Sequence, residues 1–537
     1  MRSKGRASDG DGELIRVASA GRMNGPDTAL ASTFVPEPGA PGDERLREPL
    51  PEDAPTVSFA AGRPYARLRK LRTRQARFLR AHWLILVILA LATAVRTVAV
   101  LGYGPGLWYP DSLPYIQAAL DPVPYAVRPI GYSFLLWALA IGHSVLLVII
   151  VQHVMGLATG ALVYCVLRRH RLPAWGSALA SVPALLSAYA IQVEHFVLAD
   201  AFFSLLVMVT LALLLWRPRP QLWACCTVGL LLALAALDRS QGMLLAVPFV
   251  LYLVVARLGL RRLLLSAAVL SVSFLVPVFA YCWWFDQTQG SFEITTSTGA
   301  FLYSRVAGFA DCSVDKPPAD ERWLCVNTPP SLRQNENWYV WAPQSPLAHG
   351  PSWEFGPQVN HLATSFALRA IKAQPTAYLR AVWDSAAETF VPERYTNGSQ
   401  GIYFFPAAAP ESLKTTAAKN AEDPGYGYAY NGGADPSTTL TQPFASWIRG
   451  YQRYITVPGP FLGCIVLVGL AGAVLAWRRG GPTWLAWLTG MVLIVTPAAT
   501  ADYDARYVIA SIPVFCVAAA FALREIDFRL NSMRLGG

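Results

Sequence analysis

Long apolar runs, with basic clusters at every second end, constrain this chain more than any other feature. Runs able to cross a hydrocarbon layer of ~30 Å recur at 82–102, 143–167, 172–191, 196–216, 221–237, 243–257, 263–284, 457–477, 483–500 and 506–523. The second run ends in "RRHR" (168–171), the fourth in "WRPRP" (216–220), the sixth in "ARLGLRR" (256–262) and the eighth in "WRRGG" (477–481); the last runs into "REIDFR" (524–529). If the first run starts on the cytoplasmic side, all of these clusters fall there, as the positive-inside rule requires. Composition agrees: 54% of the 537 residues are hydrophobic and only 15% charged. The net charge of +10 lies largely beside apolar runs, so it reads as a topology signal. Nucleic acid is not an expected partner.

The expected fold is therefore a polytopic α-helical membrane protein of about ten (9–12) spans. Residues 1–80 read as a disordered cytoplasmic tail, without the apolar core of a signal peptide and ending in a basic run. Residues 81–284 form the main transmembrane module, with an outer loop at 103–142. Residues 285–455 form a mixed α/β or irregular external domain, 456–524 the C-terminal spans, and 525–537 a second cytoplasmic tail. Within the outer loop, "RPIGYSFLLWALA" (128–140) is too short to cross and reads as an interfacial helix. "GPQVNHLATSFALRAIKAQPTAYLRAVWDSAAETF" reads as a helix, and the small, polar stretch 406–439 as mobile. Six cysteines lie in apolar runs and read as reduced core residues; Cys312 and Cys325, in the exported region, are the natural disulfide pair.

Charges beside apolar spans are costly and therefore informative. They gather at the outer ends: Arg96; Asp111 and Asp121; Glu194, His195 and Asp200; Asp238 and Arg239; Asp502, Asp504 and Arg506. Each has a plain alternative, such as a solvated loop, a helix cap or an arginine snorkelling to head groups. Gln152 and His153, mid-span, suit hydrogen bonds to a neighbouring helix. The weight lies in the pattern, acids and bases at several connections on one side. The sequence holds no Gly-rich phosphate loop, no HExxH, no paired CxxC and no GxSxG. Carboxylates for base work and arginines for an anion, beside a lipid phase, suit transfer from a lipid phosphate.

"YPDSLPYIQAAL", followed by "RPIGYSFLLWALA" and a Gln-bearing second span, resembles the GT-C glycosyltransferases. The likeness is to bacterial family 39-type, protein-mannosyltransferase-like members that use polyprenyl-phosphate sugars. "EHFVLADAFFSLL", "DRSQGMLLAVP" and "ARYVIASIPVF" resemble further segments of that family, and "TSTGAFLYSRVAGFADC" resembles actinobacterial members with an external domain. The resemblance implies a GT-C-like bundle with extracytoplasmic interfacial helices in the bacterial plasma membrane, both termini cytoplasmic. It implies inverting transfer of a hexose or pentose to a glycan, lipid or protein acceptor on the outer face. The first-loop base role falls on Asp111, and a second acid on Glu194 or Asp200. Arg239 is the leading phosphate ligand, followed by Arg506 and Arg96, with Arg128, His195 and Tyr109 as further substrate contacts. Many members carry two adjacent acids in the first loop, where this chain has Asp111-Ser112. Some require a divalent cation, which nothing in this sequence demands. Two other readings remain: a transporter or flippase for envelope precursors, and a non-catalytic envelope scaffold.

Overall fold

Uninterrupted apolar sequence leaves the backbone to satisfy itself, and helices result almost throughout. The computed structural model describes residues 63–392, 404–420, 422–476 and 481–535; the tail over 1–62 and most of the "WRRGG" connection lie outside the described residues. The first half contains α1 (Arg63–Gly102), α2 (Ser112–Leu120), α3 (Gly131–Leu139), α4 (Val145–Arg169), α5 (Ala174–Leu186), α6 (Ala188–Val193), α7 (Asp200–Leu215), α8 (Leu222–Asp238), α9 (Ala246–Val255) and α10 (Leu260–Gln289). The region 285–455 contains α11 (Thr298–Ala307), α12 (Cys312–Asp315), α13 (Glu336–Trp341), α14 (Pro357–Ala373), α15 (Pro375–Ala387), α16 (Leu413–Lys419), α17 (Gly425–Tyr430) and α18 (Phe444–Tyr454). The chain closes with α19 (Gly459–Ala476), α20 (Pro482–Thr500), α21 (Ala505–Ile509) and α22 (Ser511–Leu535).

Among the described residues, six segments are long and apolar enough to cross a membrane: Leu79–Gly102, Val145–Arg169, Leu260–Gln289, Gly459–Ala476, Pro482–Thr500 and Ala505–Asp527. The protein is thus a polytopic helical membrane protein. The other expected spans form apolar helices of 10–17 residues. These helices break at polar residues. Ser187 is extended (ψ 117°), dividing the third run into α5 and α6, and Arg239 is extended (φ −145°, ψ 130°), ending α8 at Asp238. Arg168 and Arg169 close α4, where cations suit the negative end of the helix dipole.

Helix α8 packs on α10, α4 on α5 and α7, and α22 on α19 and α20. Leu211, Leu232, Phe249, Leu270 and Val514 form one buried core across these helices. Small residues set the closest approaches: a methyl on Gly472 of α19 would lie 2.1 Å from Ala522 Cβ of α22.

The region 285–455 is helical with irregular connections; the described strands there amount to Thr439–Leu440, paired antiparallel with Tyr103–Gly104. Tyr303, Phe366, Ala367 and Leu347 form its core, and a disulfide joins Cys312 to Cys325. The single helix expected over 356–390 is two, because Pro375 disfavours a helical Gln374 (φ −129°, ψ 57°). Within the stretch expected to be mobile, several residues pack on the 103–142 segment. Leu413 and Ala417 bury against Leu113, and the Tyr430 hydroxyl donates to the Leu136 carbonyl at 2.7 Å. Its few apolar residues are spaced to meet helix α2, which composition averages hide. Of the six remaining cysteines, Cys225, Cys282 and Cys516 are buried, whereas Cys165 and Cys464 lie on exposed helix faces.

Candidate active site

Helix direction decides where the costly charges meet. Helix α7 begins at Asp200 and ends just before Arg217, while α8 begins after Arg219 and ends at Asp238. The acidic ends of both therefore lie together, opposite the basic connection. At that end is a cavity of about 140 Å³ lined by Asp111, Asp200, Asp238, Arg128, Arg239 and Arg506, with Tyr115, Tyr507, Thr295, Ser297, Thr298 and Phe301 among its further walls.

Asp111 precedes the first turn of α2 without capping it. Its Oδ1 lies 3.2 Å from Arg128 Nη2, and its Oδ2 accepts from both terminal nitrogens of Arg506 at 3.4 Å. Burial pushes the Asp111 carboxyl up, but Arg128, Arg506 and Arg239 outweigh it and hold it below the usual carboxylate range. Arg506 is itself fixed: its Nε donates to Asp504 Oδ2 at 2.9 Å, its guanidinium lies 4.6 Å from the Tyr109 ring centre, and Asp504 caps α21. Arg239 pairs with Asp200 and lies over Tyr507, at 4.8 Å from its centre. Arg128 lies over Phe301 at 5.3 Å. The region 285–455 reaches in beside it, where Ser297 Oγ donates to the Val127 carbonyl at 2.9 Å.

Ser112 stands where an adjacent acid could have been, and it is fully buried. Its Oγ donates to the Val197 carbonyl at 2.9 Å and accepts from Tyr109 N–H at 2.9 Å. Leu107 N–H donates to the His195 carbonyl at 2.9 Å, and Val197 N–H to the Leu107 carbonyl at 3.2 Å. The loop bearing Asp111 is thus stitched to the segment that leads into Asp200.

Arg96, Glu194 and His195 meet in a separate buried network and do not line the cavity. Arg96 Nε and Nη2 donate to the two Glu194 carboxylate oxygens at 2.7 and 2.8 Å. Glu194 Oε2 contacts His153 Nδ1 at 2.9 Å, His153 Nε2 contacts His195 Nδ1 at 3.0 Å, and His195 Nε2 contacts the Tyr103 carbonyl at 2.7 Å. A carbonyl only accepts, so His195 Nε2 carries a proton there and donates. Gln152 Nε2 donates to the carbonyls of Glu194 and Phe196 at 2.8 and 2.6 Å. These groups tie α1, α4 and the 194–196 turn together; a void of about 30 Å³ is lined by Glu194 of this network and by Asp200 of the cavity.

No protein-family model matches the chain, and no curated protein matches it in sequence. Among solved structures, it is similar to the archaeal oligosaccharyltransferase AglB of Archaeoglobus fulgidus in complex with an inhibitory peptide and a dolichol-phosphate. Identity is 12% over 85% of this chain and 52% of that one, with a TM-score of 0.41. It is also similar to ArnT from Cupriavidus metallidurans bound to undecaprenyl phosphate, at 14% identity over 83% of this chain and 78% of that one, with a TM-score of 0.32. The chain spans about half the length of AglB.

Of the residues singled out in sequence, the cavity brings together Asp111, Asp200, Arg128, Arg239 and Arg506; Tyr109 stacks on Arg506 behind it. Sequence reasoning gave no role to Tyr115, Tyr507 or the hydroxyls of Thr295, Ser297 and Thr298, because uncharged tyrosines, serines and threonines are common wherever a helix meets a polar surface. Asp238 carried a signal, a charge at the end of an apolar run, but was given no role.

Among the described residues no three metal-ligating side chains are grouped to hold a cation. Asp111 faces two guanidiniums, Asp200 pairs with a third, and Ser112 turns away to Val197. Ser112 therefore supplies no second acid beside Asp111.

Proposed function

We propose that this chain is an integral membrane glycosyltransferase that moves a sugar from a polyprenyl-phosphate donor to an acceptor hydroxyl on the extracytoplasmic face, with inversion. One observation carries the reading: Asp111 and three guanidiniums line one cavity at the end of an apolar bundle. The six segments quoted for the GT-C resemblance, scattered over some 400 residues, each send a side chain to it: Asp111, Arg128, Asp200, Arg239, Thr298 and Arg506. The gathering of charge at one end, away from the bundle's middle, supports catalysis over transport.

The chemistry follows from charge. Asp111 takes the proton of the acceptor hydroxyl as that oxygen bonds to the anomeric carbon. The bond from that carbon to the phosphate oxygen breaks, and polyprenyl phosphate leaves with one more negative charge than it had as a diester. Negative charge thus moves from Asp111 to the phosphate, and the site's total is unchanged. Arg506 and Arg128, which hold Asp111 while it is ionised, are placed to follow that charge. Arg239, oriented by Asp200, is the third contact for the phosphate. Incubating purified protein and a mixed glycan extract with polyprenyl-phospho-sugars, and reading released polyprenyl phosphate by mass spectrometry, tests this. Release from at least one donor is expected; none from any, with folded protein, contradicts it.

A further inference from the structure

A cavity of about 330 Å³ lies at the other end of α7 from Asp200. The 16 residues of α7 set its two ends ~24 Å apart. One wall is a single stripe of α7, Val209, Ala212, Leu213 and Trp216, at spacing i, i+3, i+4 and i+7; Leu162 of α4 and Ala224 of α8 flank it. The slot is therefore apolar and runs along the helix for ~10 Å. Its mouth is different. Arg217 lines it and is exposed, as are Trp216 and Trp223. Arg262 of α10 donates through Nη2 to the carbonyl of Pro220, another lining residue, at 3.3 Å, so a second guanidinium stands at the rim. Exposed Arg219 follows in the same connection. Between Asp200 and Asp286 the chain has one acid, Asp238, and it ends α8 on the far side. Among the described residues, neither Arg217 nor Arg219 forms an ion pair.

We propose that this groove seats an anionic phospholipid: one acyl chain lies along α7 between α4 and α8, and the phosphate is held by Arg217 with Arg219 and Arg262. The site is remote from the acidic cavity and does not depend on the sugar-transfer reading. A topology anchor needs charge alone; it does not need an apolar slot beneath the charge. Arginines at the mouth of a groove between membrane helices suit an acidic head group, and the exposed tryptophans suit the depth at which head groups lie. A guanidinium can bond two phosphate oxygens at once. A choline head group brings its own cation among three arginines, whereas a glycerol head group brings only hydroxyls, so the rim selects net negative charge. Leu162 and Val209, two turns below the rim, face a chain that a free phosphate lacks.

The test reads contact at the groove itself. Full-length protein in phosphatidylcholine nanodiscs receives a trace of phosphatidylglycerol or phosphatidylcholine carrying a diazirine in the same acyl chain. After illumination, labelling of the 209–224 segment is quantified by peptide mass spectrometry. Labelling of α10 around Val272, Val276 and Phe279, which are exposed, serves as the reference for lipid that merely surrounds the protein. Relative to that reference, phosphatidylglycerol should label 209–224 at least ~10-fold more than phosphatidylcholine. Arg217→Gln/Arg219→Gln alters two exposed side chains, should keep the unfolding temperature, and should lose the preference. Leu213→Trp fills the slot and leaves the arginines, so it should also lose it. Excess glycerol phosphate should not displace the lipid. Equal labelling by the two lipids, an undiminished preference in the double arginine variant, or displacement by glycerol phosphate overturns the proposal. A preference kept in folded Leu213→Trp would reduce the site to a charged surface and overturn it as well.

Discussion

Arg506 lies 395 residues after Asp111 in the chain, yet both its terminal nitrogens reach within 3.4 Å of Asp111 Oδ2. The connection before the last span therefore completes a site begun in the one after the first. Lysine at 506 keeps the charge but loses the planar fork that bonds Asp111 and Asp504 together and stacks on Tyr109. Arg506→Lys is expected to lower kcat/KM by about 100-fold, mostly through kcat, in steady-state assays of polyprenyl phosphate release. A change of less than threefold would remove Arg506 from the charge-following role.

Ser112 acts through Asp111. Removing its Oγ strands the buried Val197 carbonyl and Tyr109 N–H. Ser112→Ala should destabilise the protein by about 1–3 kcal/mol. Its kcat should fall roughly 10- to 100-fold as Asp111 shifts, with KM for donor little changed. Ser112→Thr, which keeps the hydroxyl, should recover more of the rate; equal loss in both variants would speak against positioning.

Arg96 and Glu194 predict a different signature. Arg96→Met leaves the Glu194 carboxylate buried with one partner fewer, which should cost about 3–5 kcal/mol of stability. Thermal unfolding in detergent should show a marked fall, while kcat/KM per folded molecule changes less than in Arg506→Lys. A stable Arg96→Met protein that cannot bind undecaprenyl phosphate would instead move Arg96 into the substrate site.

Asp502 gives stability a pH dependence. Burial, then the Asp504 and Glu336 carboxylates, push its carboxyl up to about 7 against the pull of Arg305 and Arg506. A raised acid favours the folded state fully below its unfolded value, 3.8, and loses that contribution as pH rises through about 7. Unfolding temperature should therefore fall between pH 5 and pH 8 more steeply in the unaltered protein than in Asp502→Asn. Parallel profiles would show that Asp502 titrates as an ordinary carboxylate.

How much of this is legible in sequence varies with the physics of each part. The apolar runs and their basic ends are local signals, so the membrane class and the grouping of charges at one end can be read directly. Asp111, Asp200, Arg239 and Arg506 stand out because a charge beside hydrocarbon is costly wherever it occurs. Arg96, Glu194 and His195 stand out by the same rule, yet they face one another, 98 residues apart in the case of Arg96 and Glu194. Sequence marks a charge as unusual without saying whether a protein partner or a cavity satisfies it. The hydroxyls of Thr295, Ser297 and Thr298 carry no charge signal; they matter because the Thr296 N–H and the Ser297 hydroxyl bond the carbonyls of Ala126 and Val127 and bring this segment to Arg128. The break at Pro375 was local and readable, and the packing of 406–439 on α2 was not.

The central claim is that Asp111 is the base of a sugar transfer from a lipid phosphate. Its most direct test is single-turnover release of undecaprenyl phosphate from the best-bound sugar donor, in the presence of acceptor, by unaltered protein and by Asp111→Asn. Asparagine preserves the side chain's shape but cannot take the proton. The account predicts equal donor binding and release slowed by about 10²–10⁴-fold in Asp111→Asn. Release at the unaltered rate, with donor bound as tightly, would contradict it.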